Sequence, residues 1–352
     1  MVLLTISEIA FLAGVSKATV SNVLNERTKQ VSPKTRQRIE TIIKENGYVP
    51  RHSARSLKTN RTKTLGLLFP HLPAAFFTNT FFFPGFLTGV AKACEKFSYQ
   101  LIITTSSKSC DTSFHYESLV QSKSVDGLIV SEIFIDDQRF SVLEQFDIPF
   151  VSIGKPEGRD INNISWVDHD QEQVAYQAVR YLIDLGHRDI LFLGLSPSRV
   201  FTKQRLEGYK RALMDSKIPF QEDLIICEEI TKGEVKKALS RPLNKGVDFS
   251  AIFVISEPLV LESMKALKEL GLRVSRDISF LANIETDNYL YYVPPLTGIK
   301  IKTEELGFET AKLLVQIIEG EIRKPVGKFL EADFVEGASC SSALFHKKGE
   351  VI

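Results

Sequence analysis

The chain has 352 residues, more than the roughly 100–200 of a typical domain, so two or more folding units are expected. Its 43% hydrophobic and 25% charged residues are typical of a globular protein and exclude a wholly disordered or collagen-like chain. The net charge of +1 combines two unlike segments. Residues 1–63 carry 12 Lys and Arg against 4 Asp and Glu, a net +8, whereas the other 289 residues carry 32 against 39, a net −7. This asymmetry predicts a polyanionic partner for the N-terminal end.

Two short helices joined at Gly14 are predicted near the N-terminus. Thr5 and Glu8 have the spacing of a capping box, and Gly14 can adopt the left-handed conformation that ends a helix. Ser16 can cap a second helix, in which apolar residues recur at 3/4 spacing from Val20. This pattern is typical of a helix-turn-helix, whose second helix can enter the major groove of DNA. Any small three-helix bundle could show the same caps, but the +8 charge favours DNA.

A third helix is predicted from Ser32-Pro33, a good N-cap and first-turn pair, to Asn46-Gly47. The uncharged stretch Leu65–Ala91 is interrupted by three prolines, so a strand, an aromatic loop and a helix are expected there rather than a membrane span. The four cysteines are widely spaced, and the N-terminus lacks the pattern of an export signal. A cytoplasmic location without a membrane partner is therefore expected.

Short apolar runs alternate with helical stretches after Lys63. The predicted strands are Leu65–Phe69, Gln100–Thr104, Gly127–Val130, Pro149–Ile153, Ile190–Leu193, Ala251–Ile255 and Ile278–Leu281. The predicted helices include Val174–Leu185, Leu206–Asp215, Val260–Leu270 and Thr303–Ile318. Continuous apolar strands with crossover helices are typical of doubly wound parallel sheets. Since this segment is long for one such sheet, two lobes with a cleft between them are expected.

Catalytic motifs are absent from the sequence: it has no G-x-G-x-x-G, phosphate loop, G-x-S-x-G or H-E-x-x-H. The densest titratable cluster, Asp168-His169-Asp170, is interpreted as a strand-to-helix turn in which a carboxylate caps the helix, in preference to a metal site. No catalytic residue, metal or cofactor is therefore expected, and an enzyme is disfavoured.

Several long motifs resemble the LacI/GalR family of bacterial transcription regulators. In the N-terminal segment they are TISEIAFLAGVSKATVSNVLN over residues 5–25, VSPKTR over 31–36, GYVP over 47–50 and ARSL over 54–57. Further matches are VDGLI at 125–129, LGHRDI at 185–190, RLEGY at 205–209, LGLRV at 270–274 and PPLT at 294–297. The resemblance implies an N-terminal all-α helix-turn-helix head over residues 1–50 and a hinge helix with linker over 51–63. It also implies a bilobed α/β core over 64–345, similar to periplasmic binding proteins, with two doubly wound parallel sheets.

The resemblance also implies which residues contact DNA. In the head and hinge these are Thr5, Ser16, Lys17, Ala18, Thr19, Ser21, Asn22, Asn25, Arg51, Ala54, Arg55, Leu57 and Lys58. Asn22 stands where the family usually has Arg, and because Asn pairs with adenine where Arg prefers guanine, an altered operator half-site is expected. Leu57 matches the leucine that enters the minor groove and kinks the central base step.

The implied effector site contains a guanidinium at Arg205 that binds ligand hydroxyls or carboxylate. The other expected contacts are Phe82, Phe83, Ser256, Glu257, Ile284 and Glu285. The sequence departs from the family where Ser256-Glu257 replaces Asn-Asp and where Ala282-Asn283-Ile284 replaces a motif ending in Asp. Because the arginine is kept while the usual aspartate is lost, the sequence favours a sugar acid, a phosphorylated sugar or another anion. An inward-pointing Glu257 or Glu285 would argue against that hypothesis.

The sequence therefore predicts a homodimeric, sequence-specific DNA-binding regulator, expected to repress a carbohydrate-utilisation operon. Its expected partners are a near-palindromic double-stranded DNA operator, a small-molecule effector (sugar, sugar acid or sugar phosphate) and a second copy of the chain. Two alternatives stay open: the same architecture with a vestigial pocket controlled by a partner protein, and an enzyme such as a sugar kinase that carries a DNA-binding head.

Overall fold

A computed structural model describes residues 4–24, 31–48, 61–69, 81–105, 119–158, 161–228 and 233–343. Contacts between residues divide the chain into two compact units, Met1–Thr62 and Lys63–Ile352, which are called the head and the core below.

The head contains three short helices around a small apolar centre. They are α1 (Ile6–Leu12), α2 (Lys17–Leu24) and α3 (Pro33–Glu45). Their shared core includes Ile9, Ala10, Val20, Val23 and Ile39, all buried. The predicted caps are confirmed: Thr5 and Glu8 form a capping box, Ser16 Oγ accepts from the Thr19 amide at 3.1 Å, and Ser32 caps α3. Gly14 and Gly47 follow α1 and α3 with φ of 58° and 60°, a conformation that favours glycine.

The first lobe of the core, the N-lobe, is built on a six-stranded parallel sheet in the order β11-β5-β4-β3-β1-β2. Its strands are β1 (Thr64–Phe69), β2 (Gln100–Thr105), β3 (Gly127–Val130), β4 (Phe150–Ile153), β5 (Ser165–His169) and β11 (Gly327–Leu330). Its helices are α4 (Phe82–Phe97), α5 (Gln138–Gln145) and α10 (Thr303–Ile318). Two apolar clusters draw on alternate side chains of β1 and β3, so both faces of the sheet are buried.

The second lobe, the C-lobe, has a six-stranded sheet in the order β12-β10-β9-β8-β6-β7, parallel except for β12. Its strands are β6 (Ile190–Gly194), β7 (Ile225–Cys227), β8 (Ala251–Val254), β9 (Ser279–Ile284), β10 (Thr297–Lys300) and β12 (Asp333–Val335). Its helices are α6 (Gln171–Asp184), α7 (Val200–Asp215), α8 (Val235–Asn244) and α9 (Glu257–Glu269). Short 3-10 helices lie in the N-lobe at Ile161–Asn163 and in the C-lobe at Glu222–Leu224 and Asp287–Tyr291. The two predicted parallel-sheet lobes are thus confirmed.

Glycines let two pairs of helices approach to backbone contact. A Cβ at Gly89 on α4 would lie 1.9 Å from the Glu304 carbonyl oxygen, and one at Gly307 on α10 would lie 2.0 Å from that of Phe86. In the C-lobe, a Cβ at Gly208 on α7 would lie 2.0 Å from the Glu172 carbonyl oxygen on α6. These separations leave no room for a side chain, so the glycines fix how closely the helices pack.

Among the described residues, the chain passes between the lobes three times. It crosses at His169–Asp170 from β5 to α6, at Ile301–Lys302 from β10 to α10, and at Glu331–Ala332 from β11 to β12. All three crossings leave the carboxyl end of a parallel strand. The carboxyl edges of the two sheets therefore face each other, and open α/β lobes bind ligands at such edges.

The entry to the core is anchored at Lys63, the residue before β1. Its backbone amide donates to Asp126 at 2.8 Å, and its Nζ donates to Glu319 at 2.6 Å. The ammonium also lies 4.5 Å from the ring centroid of Tyr99, whose hydroxyl donates to the same Glu319 at 2.8 Å. These contacts tie the start of β1 to the end of α10.

Candidate functional site

The second helix of the head presents a polar face opposite its buried one. Lys17 and Ala18 are exposed, and Ser21 and Asn22 follow one turn later on the same side. Val20 is completely buried and, with Val23, faces the head core. Of the residues expected to contact DNA, these four share the outward face of α2.

Three further predicted DNA contacts serve local structure. The Thr5 hydroxyl donates to Glu8 Oε2 at 2.8 Å and accepts from the Glu8 amide, while Ser16 and Thr19 hydrogen bond with each other at 2.9 Å. The Thr5 amide, which donates to the same carboxylate, lowers the pKa of Glu8. The remaining predicted contacts lie outside the described residues: Asn25, Arg51, Ala54, Arg55, Leu57 and Lys58.

Arg205 lies at the centre of the cleft between the lobes. It projects from α7, is only 5% exposed, and its Nε donates to Gln171 Oε1 at 2.8 Å. Its Nη1 donates to the backbone carbonyl of Ile255, immediately after β8. Asn283, with its amide oxygen turned toward the guanidinium, accepts from Arg205 Nη2 at 3.1 Å. Burial lowers the pKa of Arg205 to about 10, and protein acceptors already hold its three nitrogens.

Asp168 and His169 end β5 on the N-lobe side of the cleft. Asp168 accepts from the Lys155 amide at 2.9 Å, the His169 amide at 2.7 Å and Gln171 Nε2 at 2.6 Å. Burial raises the pKa of Asp168 to about 6 despite these donors. His169 Nε2 accepts from the Lys302 amide at 3.2 Å, which joins two of the interlobe crossings. Burial lowers the pKa of His169 to about 4, and its Nδ1 has no partner within the described structure.

Two glutamates lie at the carboxyl ends of β8 and β9. Glu257 is fully buried and accepts from the amides of Glu285 and Thr286, at 2.7 and 3.0 Å, and from the Thr286 hydroxyl at 2.9 Å. Glu285 differs, because its Oε2 is buried without a hydrogen-bond partner among the described residues. Burial and then the Glu257 charge raise the pKa of Glu285 to about 8, against the opposing effect of Arg205.

The first turn of α7 joins the two lobes through contacts that we call the clasp. Arg199 Nη1 forms an ion pair with Glu132 Oε2 of the N-lobe, and the two side chains are only 6% and 14% exposed. The Val200 amide donates to the Ile133 carbonyl at 3.2 Å, and the Ile135 amide donates to Ser198 at 2.9 Å. Val200 is buried inside an N-lobe cluster, although its helix belongs to the C-lobe. Charge, backbone and apolar contacts therefore all hold the cleft closed on this side.

Further along α7, two more side chains contact the N-lobe, and one hydroxyl is buried. Lys203 Nζ pairs with Glu157 at 2.6 Å, and Gln204 Nε2 donates to the Lys155 carbonyl at 3.3 Å. Between Arg199 and Arg205, Thr202 is completely buried, and its Oγ1 has no partner in the described structure.

The structure places the predicted effector residues in different environments. Arg205, Glu257 and Glu285 meet at the cleft, and Ser256, 8% exposed, begins α9 beside them. Ile284, by contrast, is completely buried in the apolar core of the C-lobe. Phe83 belongs to the N-lobe core, and the ring of Phe82 stacks on Phe86 at 5.6 Å. Packing accounts for these three apolar side chains.

Five residues of the cleft and the clasp were not predicted as effector-site residues: Glu132, Arg199, Thr202, Asp168 and Gln171. Glu132 shortly follows β3, so its place at a carboxyl edge could have signalled it. The inward carboxyls around Arg205 count against the anionic effector that the sequence favoured, because they already balance the guanidinium.

Two possible features are not found in the described part of the chain. No group of three or more His, Cys, Asp or Glu side chains there could hold a metal ion. None of the helices described is long and apolar enough to cross a membrane.

Asp170 caps α6, with its side chain accepting from the Gln173 amide at 2.9 Å, which confirms the capping interpretation of the 168–170 cluster.

Comparisons with known proteins match both units. Residues 5–51 match the bacterial regulatory proteins of the lacI family, and residues 179–340 match a periplasmic binding protein-like domain. The HTH-type transcriptional regulator CelR of Thermobifida fusca is 32% identical over 330 residues, covering 93% of this chain and 95% of that protein. The HTH-type transcriptional repressor PurR of Proteus mirabilis is 33% identical over 317 residues, covering 89% and 90%.

Solved structures show the same fold. A complex of the transcriptional regulator CelR with cellobiose has a TM-score of 0.74 at 30% identity, covering 96% of this chain and 99% of that chain. A lac repressor dimer bound to operator and the anti-inducer ONPF has a TM-score of 0.82 at 24% identity, covering 97% and 100%. The helix-turn-helix head, the bilobed core and these full-length similarities lead to one conclusion: the chain belongs to the LacI family and is a DNA-binding transcriptional regulator.

Proposed function

We propose that this regulator is a homodimeric repressor of a carbohydrate-utilisation operon, acting in the cytoplasm and controlled by a saccharide bound between its lobes. The observation that carries the proposal is the cleft, where Gln171 links the buried Arg205 of the C-lobe to the buried Asp168 of the N-lobe. The similarity to a regulator solved with cellobiose supports a saccharide as the effector class. The chain acts by binding and not by catalysis.

The outward face of α2 is proposed to read the operator. Lys17 and Ala18 begin this helix and are exposed, and Asn22 follows one turn later, where an amide can bond adenine. Selection of bound sequences from random DNA tests this role, because replacing Lys17 or Asn22 should change the recovered motif. An unchanged motif would show that neither side chain reads bases.

The hinge role of Leu57 also remains a proposal. A wedge between base pairs acts only on the specific, kinked complex. Leu57→Ala should therefore weaken operator binding far more than binding to unrelated DNA, as measured by fluorescence anisotropy. Equal losses on the two DNAs would refute the wedge.

Exposed apolar side chains on both lobes support a dimer. Ile102 and Ile103, on the edge strand β2, are 40% and 50% exposed. In the C-lobe, Leu261, Tyr291 and Val293 are 53%, 82% and 88% exposed. We assign these exposed apolar side chains to contact with a second copy of the chain. Val293→Asp should shift sedimentation toward the monomer at low concentration, and an unchanged dimer would exclude this surface.

Operator DNA titrated with saccharides tests the regulatory proposal directly. Binding of a saccharide should change operator affinity, because an effector that distinguishes two lobe arrangements must shift their populations. If no saccharide shifts either the melting temperature or the operator affinity, the alternative of a pocket controlled by a partner protein gains instead.

A further inference from the structure

We propose that the effector carries a protonated amine, as an amino sugar does, and that Glu285 receives this ammonium group in the cleft. The inference rests on the proposed saccharide-controlled function and specifies the charge of its ligand.

The charges around the cleft favour a cation. Three ion pairs join or flank the lobes: Glu132 with Arg199, Glu157 with Lys203 and Asp333 with Lys302. Further charged groups at the cleft are Arg205 and the carboxyls of Asp168, Glu257 and Glu285. When Asp168 and Glu257 are ionised and Glu285 is still protonated, one positive charge faces two negative charges. An anionic ligand would add to the excess, whereas a monocation would reduce it.

The guanidiniums offer little to an anion. Arg205 directs its nitrogens to Gln171, Asn283 and the Ile255 carbonyl, and Arg199 pairs with Glu132. A carboxylate or phosphate on the ligand would have to displace these acceptors. Losing a buried acceptor leaves a polar group unsatisfied, which is unfavourable.

The three carboxyls are not equivalent. Asp168 accepts three hydrogen bonds from nitrogen donors, and Glu257 accepts from two amides and a hydroxyl. Glu285 Oε2 is the buried carboxylate oxygen that has no partner in the described structure. Thr202 Oγ1 on α7 and His169 Nδ1 at the first interlobe crossing also lack a hydrogen-bond partner in the described structure, and both residues are completely buried. Unsatisfied buried polar atoms are rare in native proteins and call for a partner.

An ammonium group satisfies Glu285 better than a hydroxyl does. Either group can donate a hydrogen bond to Oε2, but only the ammonium also offsets the charge that Glu257 and Asp168 leave around it. Glu285 then distinguishes an amino sugar from its neutral parent.

Matched saccharides test the charge preference with the full-length protein. Isothermal titration calorimetry compares glucosamine, galactosamine and the β-1,4-linked glucosamine disaccharide with glucose, galactose and cellobiose. The N-acetylated and 6-phosphorylated derivatives of the monosaccharides complete the panel. At least one amine should bind about 10–100-fold more tightly than its neutral and N-acetylated counterparts, the range for a charge-assisted hydrogen bond. Failure of every amine to bind, or tighter binding of a neutral or phosphorylated member, overturns the inference.

Proton release gives a second readout. Burial raises the pKa of Glu285 to about 8, so near pH 6.5 this carboxyl is protonated until a cation pairs with it. Binding of the amine should then release close to one proton, seen as a dependence of the measured heat on the buffer's ionisation enthalpy. Glu285→Gln should abolish both the release and the preference for the amine. Unchanged proton release in that variant overturns the role of Glu285.

A control variant and operator binding complete the design. Glu269→Gln changes a carboxyl at the exposed end of α9 that pairs with Lys236, so the preference for the amine should persist. Glu285→Gln should keep the operator affinity of the ligand-free protein, which shows that it is folded. If a neutral saccharide binds most tightly and changes operator affinity, the proposed function stands and the inference about charge falls.

Discussion

Breaking the ion pair between Glu132 and Arg199 should open the cleft. The pair is buried, and its partners belong to different lobes. Glu132→Gln or Arg199→Gln removes one charge of this buried pair, and breaking such a pair costs about 3–5 kcal/mol. Opening the lobes rehydrates the charge that is left. The cost therefore falls mainly on the closed arrangement and shifts the closed-to-open ratio by roughly 100- to 4,000-fold.

The remaining contacts of the clasp oppose this shift. Opening the lobes must still expose Val200, whose burial in the N-lobe cluster contributes about 1.5–3 kcal/mol, and break the two backbone hydrogen bonds at Ile133 and Ile135. The single variants should therefore populate the open state alongside the closed one. Small-angle X-ray scattering should show a larger radius of gyration. The apparent affinity for the effector should fall in proportion to the fraction of protein that is still closed.

The double variant decides the cause. Glu132→Gln combined with Arg199→Gln removes both charges of the pair, so it should be less open than the worse single variant. If the single variants scatter like the wild type, or if their free-energy changes simply add in the double variant, the pair does not hold the lobes together.

Three further outcomes follow from local geometry. Gly208→Ala places a Cβ 2.0 Å from the Glu172 carbonyl oxygen, so the free energy of unfolding should fall by about 1–3 kcal/mol in urea; an unchanged value would contradict the close contact. His169 has a pKa of about 4, below its usual 6.5, so the folded state holds fewer protons than the unfolded state in this window. The contribution of His169 to stability should fall as the pH drops from 6.5 to 4, opposite in sign to the contributions of Asp168 and Glu285, whose pKa values are raised. The stability of His169→Asn relative to the wild type should therefore increase as the pH drops over this range, and a difference that does not change with pH would contradict the role of His169. Asn22→Arg should shift the selected half-site from adenine toward guanine, and an unchanged base would refute base reading.

Sequence periodicity identified most elements of the core because both sheets are parallel and buried on both faces. Gly127–Val130 and Thr303–Ile318 match the predicted bounds, since each is an apolar segment with clear breaks. The start of α7 was placed six residues late, at Leu206 instead of Val200. Its first turn packs Val200 against the other lobe rather than the C-lobe core, so the apolar pattern of the C-lobe core begins only later in the helix.

Four strands were missed for a similar reason. β7, β10, β11 and β12 span only three or four residues each, and β11 and β12 are largely exposed edge strands. Such short strands carry too few alternating positions for a pattern to stand out.

The effector site was only partly predictable. Resemblance to the LacI/GalR family identified Arg205, Glu257 and Glu285. The clasp could not be found this way, because Glu132 and Arg199 lie 67 residues apart and only the fold brings their side chains together. Ile284 was expected at the ligand, but the last residue of β9 points into the apolar core, and a one-residue change of register reverses which face a side chain meets.

The anchor at Lys63 makes α10 a lever. This helix begins one residue beyond the crossing at Lys302 and ends at Ile318, next to the Glu319 that holds Lys63. Its 16 residues span about 24 Å at 1.5 Å per residue, and its glycine contact with α4 leaves it little freedom to bend. A rotation of about 5° at the crossing would move the far end by about 2 Å. The pivot lies at the cleft proposed to bind the effector, and the far end of the helix holds Lys63 at the start of the core. Under the proposed function, effector binding is therefore expected to displace Lys63.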